Sequence, residues 1–191
     1  MAKPKSKQKT VVKRGKKKWF KVVTPEYLRS IELGEITAYE PAELPGRTVC
    51  VPLKEVSGSM RDGSSKIKLR ITKVQGETCQ TEPIALYVQD SQVQRSDRRA
   101  KERIICIVDA TTKDKQKIRV KAYVLLNKSV IRAVRTAIFH TTTNFIQDYI
   151  KHREAKDVFA VTTQKNIANQ LKDDLKKIYP AQVIIWKITK I

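Results

Sequence analysis

Two stretches, KIKLRITK at 66–73 and KIRVKAYV at 117–124, alternate apolar and polar side chains. A period of two belongs to a strand with one buried face, because successive side chains of an extended chain point to opposite sides of a sheet. Ile67, Leu69 and Ile71 fall on one side, Lys66, Lys68 and Arg70 on the other. In the second stretch Ile118, Val120, Ala122 and Val124 oppose Lys117, Arg119, Lys121 and Tyr123. The chain therefore has to build a sheet with a core against one face. The other face of such a sheet ordinarily meets water and mixes its charges. Here it draws no acid from either strand, so its cations need a counter-charge from elsewhere.

The charge excess runs through the whole sequence. Its 191 residues hold 40 Lys+Arg against 19 Asp+Glu, a net charge of +21. Nine cations and no acid lie in residues 1–18, namely Lys3, Lys5, Lys7, Lys9, Lys13, Arg14, Lys16, Lys17 and Lys18. The other 173 residues keep 31 cations against 19 anions, a balance of +12. A basic tail on a basic domain points to a polyanion held over a wide surface. No apolar run approaches the ~18 residues that cross a bilayer, and the N-terminus lacks the apolar core of a signal peptide. No membrane partner is expected. Cys50, Cys79 and Cys106 form no CxxC pair. They are expected as reduced thiols in the core of a cytosolic or nuclear protein, with no metal and no cofactor.

Residues 1–18 are too lysine-rich and apolar-poor to order themselves, and read as a disordered tail that becomes ordered on RNA. One domain is expected over 19–191. Strands are expected at WFKVV, GEITAYE, RTVCVPL, the two alternating stretches, TCQTEPIALYV, ERIICIVDA and the final VIIWKITKI. Pro83 within the sixth of these marks an edge or a break, since proline cannot donate to a ladder. From Lys128 the period lengthens. Ile131, Val134, Ile138, Phe145 and Tyr149 mark an amphipathic helix, weakened at the threonines 141–143, and a second helix over 163–179 places Ile167, Leu171, Leu175 and Ile178 on one stripe. The fold class is α+β: a curved, mostly antiparallel sheet tending to a barrel, packed with C-terminal helices.

Catalysis has little to work with. His140 and His152 sit about 120° apart around a helix, on different faces, and no phosphate loop, nucleophile elbow or metalloprotease motif is present. No enzyme is expected. Binding chemistry is better represented. Beside the two basic strands lie Arg95, Arg98, Arg99 and Lys101 in RSDRRAKER, between strands, and Lys128, Arg132 and Arg135 at the start of the first long helix. With Lys13, Arg14, Lys16, Lys17 and Lys18 of the tail and Lys66, Lys68, Arg70, Lys117, Arg119 and Lys121 of the strands, these are the candidate RNA-binding residues. No zinc finger, zipper or helix-turn-helix supports DNA reading. Only Tyr123 falls on a basic face, so a stacking platform for single strands is not expected. Phosphates of a folded RNA, recognised by shape, fit best.

KKWFKVVTP, IELGEI, LPGRTVCVPLKEVSG, KIKLRITKVQG, VDATTKDKQKIRVKAYV, IRAVR and LKKIYP occur in this order across residues 16–191. In that order they resemble the small-subunit ribosomal protein family of archaea and eukaryotes called S-one-e, also S-three-A-e. Two departures stand out. Lys115 occupies a hairpin position where the family usually has glycine, and the long C-terminal extension of many eukaryotic members is missing, as in the shorter archaeal forms. The resemblance implies a structural constituent of the small subunit, on its platform near the mRNA exit. Ribosomal RNA, neighbouring platform proteins and mRNA near the exit are the implied partners, in cytoplasmic ribosomes, with nucleolar assembly in a eukaryote. A free-standing RNA-binding or translation initiation factor is the competing class, because it uses the same cations.

Overall fold

The computed structural model describes residues 15–191, so Lys13, Arg14 and most of the expected tail lie outside the described residues. In chain order the elements are β1 Lys18–Val23, β2 Glu32–Ala38, β3 Thr48–Pro52, α1 Leu53–Ser57, β4 Ser65–Gln75, β5 Thr78–Val88, α2 Asp90–Asp97, β6 Glu102–Thr111, β7 Lys117–Leu126, α3 Arg132–Lys151, α4 Ala155–Val158, α5 Thr163–Leu175 and β8 Gln182–Lys190. All strands join one sheet that is antiparallel except where β1 runs parallel to β5. The α+β, mostly antiparallel architecture is as expected.

Closure toward a barrel is not what the chain does. β5 gives one edge to β4 and divides the other, pairing β1 through Thr78–Gln80 and β8 through Ala85–Tyr87. The sheet forks at that strand instead of curling shut, and β2, β3 and β6 each keep a single strand neighbour among the described residues. Pro83 lies between the two partner segments, where the register with β4 also shifts. A residue without an N–H is tolerated at such a bulge.

Alternation does its work on the inner face. Val51, Ile67, Leu86, Ile188, Val120 and Val108 lie opposite one another on six successive strands, all at most 4% exposed. α3 packs over β6, and α5 over β8 and α3, closing the main core. A smaller core of Phe20, Val22, Ala38, Leu44, Ile71 and Cys79 sits under the β1–β2 hairpin.

Local readings needed three corrections. The buried stripe of α3 is Ile138, Thr142, Ile146 and Ile150, four residues apart, and Ile131 is the exposed N-cap. The threonines do not interrupt this helix, since packing of its apolar face outweighs their weak propensity. α5 ends at Leu175, leaving Ile178 beyond it and 39% exposed. Cys50 is exposed, because Val49 and Val51 take the inward positions of β3 and parity sends Cys50 out. Cys79 and Cys106 are buried, and burial pushes the Cys106 thiol up to about 11. A thiol reagent is therefore expected to modify Cys50 rapidly in native protein, and Cys79 and Cys106 only after unfolding. Mass spectrometry of the labelled peptides checks this, and fast labelling of Cys106 in the native state would contradict it. Lys115 does take the left-handed turn position normally given to glycine, at φ 59°.

Candidate nucleic-acid interface

The outer face of the sheet assembles what the two strands promised. Pro52, Lys66, Tyr87, Lys187, Lys121 and Ile107 stand opposite one another across β3, β4, β5, β8, β7 and β6. The adjacent row runs Cys50, Lys68, Ala85, Thr189, Arg119 and Asp109. Neighbouring strands are about 4.8 Å apart, so the cations of one row fall within roughly 20 Å. Lys66, Lys68, Lys121 and Lys187 pair with no acid among the described residues.

Other cations of the set have internal partners. Arg119 donates from Nε and Nη2 to the two carboxylate oxygens of Asp109 at 2.7 and 2.8 Å, and this contact holds the Asp109 carboxyl below its usual range. The acid missing from β7 is thus supplied by β6, so the repulsion expected on this face is partly relieved within the protein. Arg70 is exposed opposite Glu82, whose carboxylate accepts from Lys190 at 2.5 Å. Lys117 is exposed near the hairpin tip.

Aromatics join this face, against the expectation that Tyr123 would stand alone. Trp186 stacks on Tyr123 with ring centroids 5.3 Å apart, Lys121 Nζ lies 5.3 Å over the indole, and Arg103 lies 5.6 Å over the phenol ring. Trp186 Nε1 donates to Asp90 at 3.0 Å, and Arg103 donates to Asp97 at 2.7 Å. These contacts set α2 along the end of the face. Both rings are already engaged, so they hold cations in place and offer little open area to a base. The register shift of β8 against β7 at this point disguises the alternation of VIIWKITKI. Lys187 and Trp186 were missed for that reason, although Lys187 and Thr189 flanking buried Ile188 carry the same signal as the other basic strands.

The remaining candidates scatter. RSDRRAKER is partly helical, with Arg95 in α2 and exposed Arg98, Arg99 and Lys101 in the turn after it, beside the outer face. Lys16 and Lys17 precede β1, Lys18 begins it, and Lys17 Nζ lies 5.5 Å over Tyr39. Lys128, Arg132 and Arg135 stand elsewhere, on the helix side of the sheet. Glu102 shares the inward parity of Ile104, accepts from the Val130 N–H at 2.9 Å and from Ser129 at 3.2 Å, and pairs with Arg135. The Val130 N–H, aided by Arg135 and Ser129 and opposed by burial, holds the Glu102 carboxyl below its usual range. A depressed carboxyl adds stability above its unfolded pKa and loses it as pH falls through the folded one. Glu102→Gln is therefore expected to flatten the acid limb of the stability–pH curve, as read by urea denaturation between pH 3 and pH 6 (about that window). An unchanged limb would show that the triad does not hold this helix start.

The sequence matches the family model described as the Ribosomal S3Ae family over residues 5–191. It is similar to the small ribosomal subunit protein eS1 of Nanoarchaeum equitans, 30% identical over 165 residues, covering 86% of this chain and 83% of the relative. The protein of the same description from Thermoplasma acidophilum is 30% identical over 184 residues, 96% and 86% of the two chains. That from Picrophilus torridus is 28% identical over 168 residues, 88% and 80%. Matched by the family model over nearly its whole length and similar to these small-subunit proteins over most of theirs, the chain belongs to the ribosomal S3Ae family.

Proposed function

We propose that the protein is a structural constituent of the small ribosomal subunit that holds ribosomal RNA on the outer face of its sheet. One observation carries this reading. Lys66, Lys187 and Lys121 lie in one cross-strand row, without acidic partners among the described residues, over a backbone fixed by the core beneath. Such a rigid array neutralises phosphates at small conformational cost and reads shape instead of sequence. The relatives' description as small-subunit proteins agrees with it. A platform position near the mRNA exit, contacts to neighbouring platform proteins and mRNA, ordering of residues 1–18 on RNA, a single domain over 19–191 and nucleolar assembly in a eukaryote belong to the same proposal.

Lysine acetylation footprinting tests it. Lys66, Lys68, Lys121 and Lys187 should be reactive in free protein, protected in purified small subunits, and reactive again after ribonuclease treatment. Protection that survives ribonuclease would assign the face to protein. Sedimentation at high salt separates a constituent from a factor, since a factor washes off the subunit.

A further inference from the structure

β6 is written as an interior strand but lies at an edge. Ile104, Ile105, Cys106, Ile107 and Val108 form five consecutive apolar residues, the pattern of a strand covered on both faces. α3 covers the inner set, whereas Ile105 and Ile107 point outward, 43% and 54% exposed. Among the described residues β6 pairs only with β7, from Glu102 opposite Leu126 to Thr111 opposite Lys117, without a bulge. Natural edges are protected by proline, bulges, short length or charge. This edge has ten residues and neither proline nor bulge.

Charge selects the occupant. The two acids of β6 are held by Arg135 and Arg119, while Lys101 before the strand and Lys113 and Lys115 after it pair with no acid among the described residues. A second copy laid antiparallel along β6 would set these cations against each other. Residues 1–14 of the same chain, with six cations and no acid, would meet the same repulsion. RNA phosphates can accept from single backbone N–H groups, but an RNA strand does not repeat the donor–acceptor spacing of a sheet edge, and its phosphates gain nothing from a pair of isoleucines. An extended protein segment with alternate apolar side chains at its centre and carboxylates at its ends satisfies all three features.

We propose that the β6 edge accepts such a segment from a neighbouring protein of the small subunit as an added strand. This rests on the chain being a subunit constituent, but not on which face holds RNA. The test places the photo-crosslinker p-benzoylphenylalanine at position 105 in purified small subunits and maps the adduct by mass spectrometry. The expected adduct is to another protein, within a short apolar segment flanked by acids. In parallel, backbone amides of residues 102–111 are expected to exchange at least about tenfold more slowly in the subunit than in free protein. An adduct to RNA, to a second copy or to residues 1–14, no adduct, or unchanged exchange would each overturn the proposal. Ile105→Thr, outside the two cation rows of the outer face, is expected to leave RNA affinity of the free protein unchanged while reducing its retention in subunits. A loss of RNA affinity in that variant would assign the patch to RNA instead.

Discussion

Converting Lys66, Lys68, Lys121 and Lys187 to glutamine is expected to lower affinity for small-subunit ribosomal RNA by about two orders of magnitude near physiological salt. Each lost phosphate contact removes roughly 0.7–0.9 from the slope of log affinity against log salt, so the variant should be flatter by about 3. Stability of the free protein should be unchanged or slightly improved, because none of the four lysines has an acidic partner among the described residues. Arg119 is left in place, since removing it would strand the Asp109 carboxylate. Filter binding at several salt concentrations reads the slope. An unchanged slope would return these lysines to solvent or to a protein neighbour.

Leu86→Ala is expected to cost about 2–5 kcal/mol, the range for emptying a buried leucine site. Leu86 is fully buried on the strand where the sheet forks, between Ile67 on β4 and Ile188 on β8. These neighbours come from two strands far apart in the chain, so the cavity is difficult to collapse. Against a typical total of about 5–15 kcal/mol, the variant should unfold at much lower urea. Ile105→Thr, on the opposite face of β6, should change stability by about 0.5 kcal/mol or less. A Leu86→Ala cost below about 1 kcal/mol would mean that the inner row is not a continuous core.

Period-two alternation was enough to place both faces of β4 and β7, and every residue assigned inward there is buried. It was enough because one register decides all side chains of a strand at once. It failed where a bulge resets the parity, as at Trp186, and it gave the wrong environment to Cys50 because an apolar strand does not declare which parity faces in. Whether the sheet closes depends on β5 pairing with β1 and β8 along one edge, and no local pattern encodes a divided edge. Among the candidate cations, composition found the basic strands but could not see cross-strand acids. Arg119 and Arg135 read as free in sequence because Asp109 and Glu102 lie 10 and 33 residues away.

The position of β8 has a consequence for how the protein is made. Gln182–Lys190 is inserted between β5 and β7, joining two groups of strands that are otherwise not paired with each other among the described residues. During synthesis from the N-terminus, β1 to β5 and the β6–β7 hairpin can each form early. The β6–β7 hairpin can cover part of its inner face with α3, but the two groups cannot close one common core until residues beyond 180 leave the exit tunnel. For most of its synthesis the nascent chain therefore exposes two unmatched apolar surfaces and two open edges, conditions that favour misassociation. Completion depends on contacts between residues about a hundred positions apart, such as Leu86 with Ile188, and long-range pairing of this kind is slow. A chaperone or an RNA that shields the unfinished edges would act on the nascent protein before its last strand arrives.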